Sequence, residues 1–209
     1  MVSAPPRRVL LGVDLGKRQT PTTIVVLQQK VQPQQIERVW DPVYLRFKPC
    51  STDKVMVVSR AESVALETSY DAVARRIWEV ASLAQANEIW MDGTGVGVAV
   101  EEMVRQHRPP GMRCALRTIT ITGAGTARSG SVSRHELLSR LAVECEQGRV
   151  MIAEGLPHWE ALRQELLALD ANGRKRHHRD DLALSLALAV WGFTTAGATV
   201  GERSDGRVV

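Results

Sequence analysis

The sequence predicts an α/β fold: a mixed central sheet with antiparallel opening strands, then parallel strands, and helices on both faces. Two patterns lead to this class. Three β-rich segments come first, and beyond residue 60 apolar helical stripes alternate with short apolar strands. The 209 residues, 44% apolar and 24% charged, suit one globular domain and exclude disordered or fibrous chains. We expect this domain to span 9–195, with disordered ends at 1–8 and 196–209.

The opening strands are predicted from apolar and β-branched runs. Residues 9–15 form an apolar run, and residues 22–28 are rich in β-branched side chains. Pro21 and the short spacer favour an antiparallel hairpin between these two strands. A further strand is predicted near 54–59. The stretch 41–53 contains three breakers and no clear period, so it is interpreted as a loop or insertion.

The rest of the chain alternates helices and strands. Residues 70–86 have apolar positions at helical spacing, and Ser133 with Glu136 forms a capping box at a helix start. The final helix is apolar on nearly every side, which indicates burial. We expect helices at 70–86, 96–107, 133–147, 156–169 and 181–193, strands at 88–91, 112–122 and 149–153, and a loop at 123–131.

The charge distribution indicates a polyanionic partner. The net charge is only +4, but three segments are rich in arginine or lysine and poor in acids: 1–36, 103–135 and 174–179. For any one segment alone, solvated surface charge is the better interpretation, and the coincidence of the three segments with the acidic positions below favours a polyanionic partner. Three scattered cysteines without a CxxC pair exclude a disulfide framework or zinc knuckle. No secretory signal or bilayer-length apolar run is present, so we expect a cytoplasmic protein.

Acidic residues stand at the ends of predicted strands and at the start of the last helix. Asp14 ends the first strand, Asp92 ends the strand at 88–91, and Asp180 and Asp181 precede the buried helix. Singly, these are typical turn and cap residues. Together, several carboxylates at one sheet edge would repel one another unless a cation balanced them. Mg²⁺ and Mn²⁺ favour such oxygen ligands.

Four motifs in order resemble the nuclease domain of phage terminase large subunits. They are Gly-Val-Asp-Leu-Gly at 12–16, Met-Asp-Gly-Thr-Gly-Val-Gly at 91–97, Gln-Gly-Arg-Val-Met-Ile-Ala-Glu-Gly-Leu-Pro at 147–157, and Arg-Asp-Asp-Leu-Ala-Leu-Ser-Leu-Ala-Leu-Ala at 179–189. The resemblance extends from about Val9 to Trp191. It implies a ribonuclease H-like fold, close to the Holliday-junction resolvases. Segment 33–53 is extra relative to the family's usual hairpin.

The resemblance implies a two-metal DNA endonuclease that acts in phage genome packaging. By this likeness Asp14 and Asp92 are metal ligands and catalytic residues, and Asp181 with His178 supplies the third position. Asp180, with His177 at the same spacing, is the second choice. The implied cofactors are two Mg²⁺ or Mn²⁺ ions. Basic side chains would hold the double-stranded DNA backbone; they are Lys17, Arg18, Arg128, Arg134, Arg174, Lys175, Arg176 and Arg179.

Departures from the family and two other functions stay open. A complete terminase also has an ATPase domain, but the chain has no GxxxxGK[ST] motif. A separate ATPase subunit or another packaging protein is therefore an expected partner. The first two motifs also resemble the phosphate loops of actin-like ATPases and sugar kinases. A catalytically silent DNA-binding packaging component is the other alternative. Glu136 and Glu154 are interpreted as a helix cap and a surface residue.

Overall fold

The structure, a computed structural model, describes residues 8–16, 20–30, 38–41, 46–49, 55–94, 97–123, 130–153, 155–168 and 180–195. The strands are β1 (Val9–Asp14), β2 (Thr23–Lys30), β3 (Arg38–Asp41), β4 (Arg46–Pro49), β5 (Val55–Ser63), β6 (Glu88–Asp92), β7 (Ala115–Thr122), β8 (Ser131–Ser133) and β9 (Val150–Ile152). The helices are α1 (Tyr70–Ala84), α2 (Gly97–Gln106), α3 (Arg134–Glu146), α4 (Trp159–Ala168) and α5 (Asp181–Thr195).

A seven-stranded sheet in the order β8-β7-β6-β1-β2-β5-β9 forms the centre of the fold. β1 pairs antiparallel with β2, and β2 antiparallel with β5. On the other side, β1 pairs parallel with β6, and β6 parallel with β7. The fold class predicted from the sequence, antiparallel opening strands followed by parallel ones, is confirmed.

Helices cover both faces of this sheet. Side chains on one face, including Leu11 and Val13, pack with α1 and α2 in one apolar cluster. The opposite face, including Val25 and Leu27, packs with α3, α4 and α5 in a second cluster. Alternation of the side chains along each strand separates these two sets. Helix α5 is central to its cluster, which explains why its sequence is apolar nearly all round.

The structure corrects three local predictions. The loop predicted at 123–131 ends before Ser131, which begins the unpredicted strand β8 beside β7. The stretch interpreted as a loop at 41–53 contains β4, which pairs with β3 in a separate two-stranded sheet. Each of these strands is only four residues long, and two of the four side chains are charged. Such a short segment gives no apolar period from which a strand could be predicted. The helix predicted from residue 156 begins instead at Trp159. His158, directly before it, has a φ of +62°, which is incompatible with a right-handed helix.

Arg8, directly before β1, connects the start of this strand to β6 and to α5. Arg8, within the expected N-terminal tail, pairs with Glu88 at 2.8 Å and donates to the carbonyl oxygen of Gly192 at 3.1 Å. This contact ties the start of β1 to the end of α5.

Within the described chain, no helix has the length and apolar character that a membrane crossing requires.

Candidate active site

The parallel pairing of β1 and β6 brings two of the predicted acids to adjacent positions. Val13 lies opposite Met91 in the register of these strands. The next residues are Asp14 and Asp92, which end the two strands. Carboxyl ends of neighbouring parallel strands meet at the same edge of a sheet, where ligands of α/β proteins commonly bind. Asp14 and Asp92 therefore share one edge of the sheet.

Helix α5 packs directly on β1 because Gly12 has no side chain. A Cβ at Gly12 would collide with the carbonyl oxygen of Ser185 and lie 2.9 Å from the backbone nitrogen of Ala189. The Ser185 hydroxyl accepts a hydrogen bond from the backbone N–H of Asp14 at 3.0 Å. The backbone of α5 is thus in contact with the strand that carries Asp14.

Two buried hydroxyls fix the first turn of α5 at this place. Thr23, the partner of Asp14 in β2, has its Oγ1 2.8 Å from the carbonyl oxygen of Asp181 and 2.7 Å from Oγ of Ser185. Ser185 is fully buried and Thr23 is 1% exposed. Ser185 follows Asp181 by four residues, so the two share a face of the helix. That face is turned toward the ends of β1 and β2.

Asp180 has a different environment. Its carbonyl oxygen accepts the first helical bond, from the N–H of Leu184 at 2.8 Å, so Asp180 occupies the N-cap position of α5. Its side chain, 5% exposed, forms an ion pair with Arg134 at the start of α3. The negative charges of Asp181 and Asp180 both raise the pKa of Asp14, and the charge of Asp181 has the larger effect. The geometry therefore favours Asp181 as the closer companion of Asp14.

Asp14 is the electrostatic centre of this group. Burial, followed by the charges of Asp181 and Asp92, raises the pKa of its carboxyl from 3.8 to about 8. Asp180 adds to this effect, and the positive charge of Arg134 opposes it. Four acids from three elements thus influence one another at the sheet edge. A pKa near 8 means that Asp14 retains its proton at neutral pH unless a cation offsets the surrounding negative charge.

The carboxylate of Asp92 is oriented by the turn that follows β6. The backbone N–H and the hydroxyl of Thr94 both donate to its Oδ1, at 2.8 and 2.5 Å. The Thr94 hydroxyl in turn accepts from the N–H of Ile121 at 2.8 Å. Both bonds from Thr94 go to the same oxygen, so Oδ2 keeps its lone pairs for another partner.

Glu165 of α4 is an acidic residue of this region that sequence reasoning missed. Its Oε2 accepts from the backbone N–H of Ala183 at 2.8 Å. Burial raises its pKa to about 7, and the charges of Asp181 and Asp180 add to this. One signal was present in the sequence. Glu165 stands at helical spacing from Leu162, on the apolar side of a helix, where an acid needs a partner.

The chemistry of this group fits a hard divalent cation. Asp14, Asp92 and Asp181 offer only carboxylate oxygens, which Mg²⁺ and Mn²⁺ favour. Burial and the neighbouring negative charges, which together raise the pKa of Asp14, disfavour its ionised form, and a bound cation would offset both effects. The described side chains do not close around an ion: no three His, Cys, Asp or Glu groups among them are arranged to hold one.

Most of the predicted DNA-binding residues lie outside the described residues. This applies to Lys17, Arg18, Arg128, Arg174, Lys175, Arg176 and Arg179, and also to the candidate metal ligands His177 and His178. Arg134 is described, and it pairs with Asp180 while remaining 36% exposed. The backbone N–H of Glu136 donates to the Ser133 hydroxyl at 3.0 Å, in the first turn of α3. Glu154 lies outside the described residues.

Comparison with solved structures identifies the architecture. The large terminase nuclease from thermophilic phage G20c aligns with a TM-score of 0.54 at 19% identity, over 90% of this chain and 83% of that one. The nuclease domain of the large terminase subunit of bacterial virus Sf6 aligns with a TM-score of 0.57 at 13% identity, over 88% and 87%. The chain has the fold of large terminase nuclease domains. The ribonuclease H-like fold expected from the sequence motifs is confirmed.

This likeness concerns the fold. No protein-family model and no curated protein matches the sequence. Other structures of the G20c nuclease contain zinc or cobalt, and a variant of the Sf6 nuclease domain has been solved with calcium or with manganese. Divalent metals therefore bind to proteins of this terminase nuclease fold.

Proposed function

We propose that the protein is a metal-dependent DNA endonuclease of the terminase large-subunit type. One observation carries this proposal: on a terminase nuclease fold, Asp14, Asp92 and Asp181 come from three separate elements to one edge of the sheet. Structural acids at strand ends would not require such a costly accumulation of negative charge. Two-metal nucleases hydrolyse phosphodiester bonds with carboxylates of this kind.

Asp14, Asp92 and Asp181 would hold the metal, with Asp180 and His178 as the alternatives at the helix start. Two Mg²⁺ or Mn²⁺ ions, when bound, would supply Lewis acidity toward the scissile phosphate and the attacking water. The chain's own residues hold the proposed metal ligands in position. Thr94 orients Asp92, and the hydroxyls of Thr23 and Ser185 anchor the start of the helix beside Asp14.

Double-stranded DNA is the substrate that the charge pattern favours. The acid-poor segments contribute the seven basic residues named above that lie outside the described residues, together with Arg134. Backbone contacts of this kind position DNA without reading its sequence. The proposed setting is phage or prophage DNA packaging in the host cytoplasm, with a separate ATPase subunit or another packaging protein as partner.

A plasmid assay tests the proposal. Supercoiled DNA is incubated with the protein in Mn²⁺, in Mg²⁺ or in EDTA, and nicked and linear products are measured. We expect cleavage in the presence of metal and none in EDTA. Asp14→Asn should be inactive because a neutral amide is a poor ligand for a hard cation.

A matched control separates the site from general effects of removing an aspartate. Asp71 on α1 is 47% exposed and pairs with Arg75 and His107. Asp71→Asn should cleave like the wild type. Equal activity of Asp14→Asn and the wild type would contradict the proposed site, and ATP binding without any cleavage would favour the actin-like alternative.

A further inference from the structure

The first turn of α5 is capped by a side chain from another helix. With Asp180 at the N-cap, Leu182 and Ala183 are the residues whose N–H groups a capping side chain normally accepts. Oε2 of Glu165, on α4, accepts from the backbone N–H of Ala183 at 2.8 Å. Glu165 therefore takes the place that an N-cap side chain usually fills.

The residue on the other side of Asp181 is anchored as well. The buried carboxylate of Asp180 pairs with Arg134, which begins α3. Asp181 thus stands between Asp180, which is tied to α3, and Ala183, which is tied to α4. The buried Leu162 of α4 packs in the same apolar cluster as α5, so the helix that carries Glu165 is itself held against α5.

We propose that Glu165 is a positioning residue for divalent-metal binding, which acts by holding the first turn of α5 so that Asp181 faces Asp14. This inference rests on the function proposed above. Glu165 acts through hydrogen bonds to the backbone of α5, so a neutral side chain with an oxygen acceptor should replace it. A direct metal ligand would not tolerate that change, because it would need the carboxylate charge.

Three variants of the full chain separate these roles: Glu165→Ala, Glu165→Gln and, as control, Glu160→Ala. Glu160 is on the same helix, is exposed, and pairs with Arg163 in the next turn. Mn²⁺ binding without DNA is measured by electron paramagnetic resonance of the free ion. Hydrogen exchange of the amides at 182–184 reports on the helix start, and plasmid cleavage is measured in parallel.

We expect Glu165→Ala to weaken Mn²⁺ binding by about tenfold or more, the usual effect of removing a group that orients metal ligands. Amide exchange at 182–184 should accelerate in the same variant. Glu165→Gln should restore both properties toward the wild type, and Glu160→Ala should change neither.

Two results would overturn this inference while leaving the proposed nuclease intact. One is a wild type that binds Mn²⁺ and cleaves DNA while Glu165→Ala binds Mn²⁺ equally well. The other is a loss in Glu165→Gln as large as that in Glu165→Ala, which would make Glu165 a ligand through its charge. A wild type that neither binds Mn²⁺ nor cleaves DNA would instead overturn the proposed function itself.

Discussion

The raised pKa of Asp14 predicts a specific dependence of stability on pH in the metal-free protein. Burial and the charges of Asp181 and Asp92 raise this pKa from 3.8 to about 8. Between these values the folded chain keeps a proton that the unfolded chain has lost, so the free energy of unfolding falls as pH rises. Below the lower value both states are protonated and Asp14 costs nothing.

The magnitude follows from the size of the shift. One pKa unit corresponds to about 1.4 kcal/mol, so Asp14 would destabilise the metal-free fold by roughly 2 kcal/mol near pH 5 and by about 4 kcal/mol near pH 7. Asparagine resembles the protonated acid and does not titrate. Asp14→Asn should therefore melt above the wild type in EDTA, by a few degrees near pH 5 and by roughly 10 °C near pH 7.

The assay is thermal unfolding of both proteins in EDTA across this pH range, repeated with Mn²⁺. The melting temperature of the wild type should rise with the logarithm of the Mn²⁺ concentration above the dissociation constant, and that of the variant should stay nearly unchanged. Asp71→Asn serves as the control, since its carboxylate is half exposed. Melting temperatures of wild type and Asp14→Asn that change in parallel with pH would refute the electrostatic account of the site.

Three further predictions concern the parts that assemble around Asp14. Asp181→Ala should abolish metal-dependent cleavage. Asp180→Ala should mainly lower the melting temperature, because it leaves Arg134 without its partner. The reverse result in the plasmid assay would exchange the roles of the two residues. Gly12→Ala should cost roughly 1–3 kcal/mol in denaturant unfolding, because its Cβ meets the backbone of α5, and wild-type stability would contradict the close packing. Arg134→Gln should change the salt slope of DNA binding by less than the ~0.9 of a full phosphate contact, since Asp180 already engages this side chain; a full unit in the salt titration would show that Arg134 binds phosphate.

The sequence predicted the acids of the sheet edge because strand ends are visible in it. An apolar run that stops at Asp14 and another that stops at Asp92 mark the ends of β1 and β6. The order of strands then determines the rest, since parallel neighbours bring their carboxyl ends together. The register that places Val13 opposite Met91 is a tertiary property. The sequence alone contains no measure of it.

Helical periodicity gave no choice between Asp180 and Asp181, and only the family resemblance favoured Asp181. A helix that is apolar on every side gives no periodic signal for its orientation. We propose Asp181 because it shares a helix face with Ser185, a polar residue in an otherwise apolar run, whose hydroxyl contacts the backbone of Asp14. The short strands β3 and β4 were missed for a related reason. Each has only four residues, which are too few to show the two-residue period of a strand.

The position of α5 is the variable on which the proposed site depends. Asp14 and Asp92 are fixed relative to each other by the pairing of β1 with β6. Asp181 belongs to a helix, and a helix can slide or rotate on a sheet unless specific contacts prevent it. Here the close approach at Gly12 limits rotation, and the hydroxyl of Thr23 limits sliding. Loss of these contacts should therefore impair metal binding, because Asp181 would no longer be held beside Asp14.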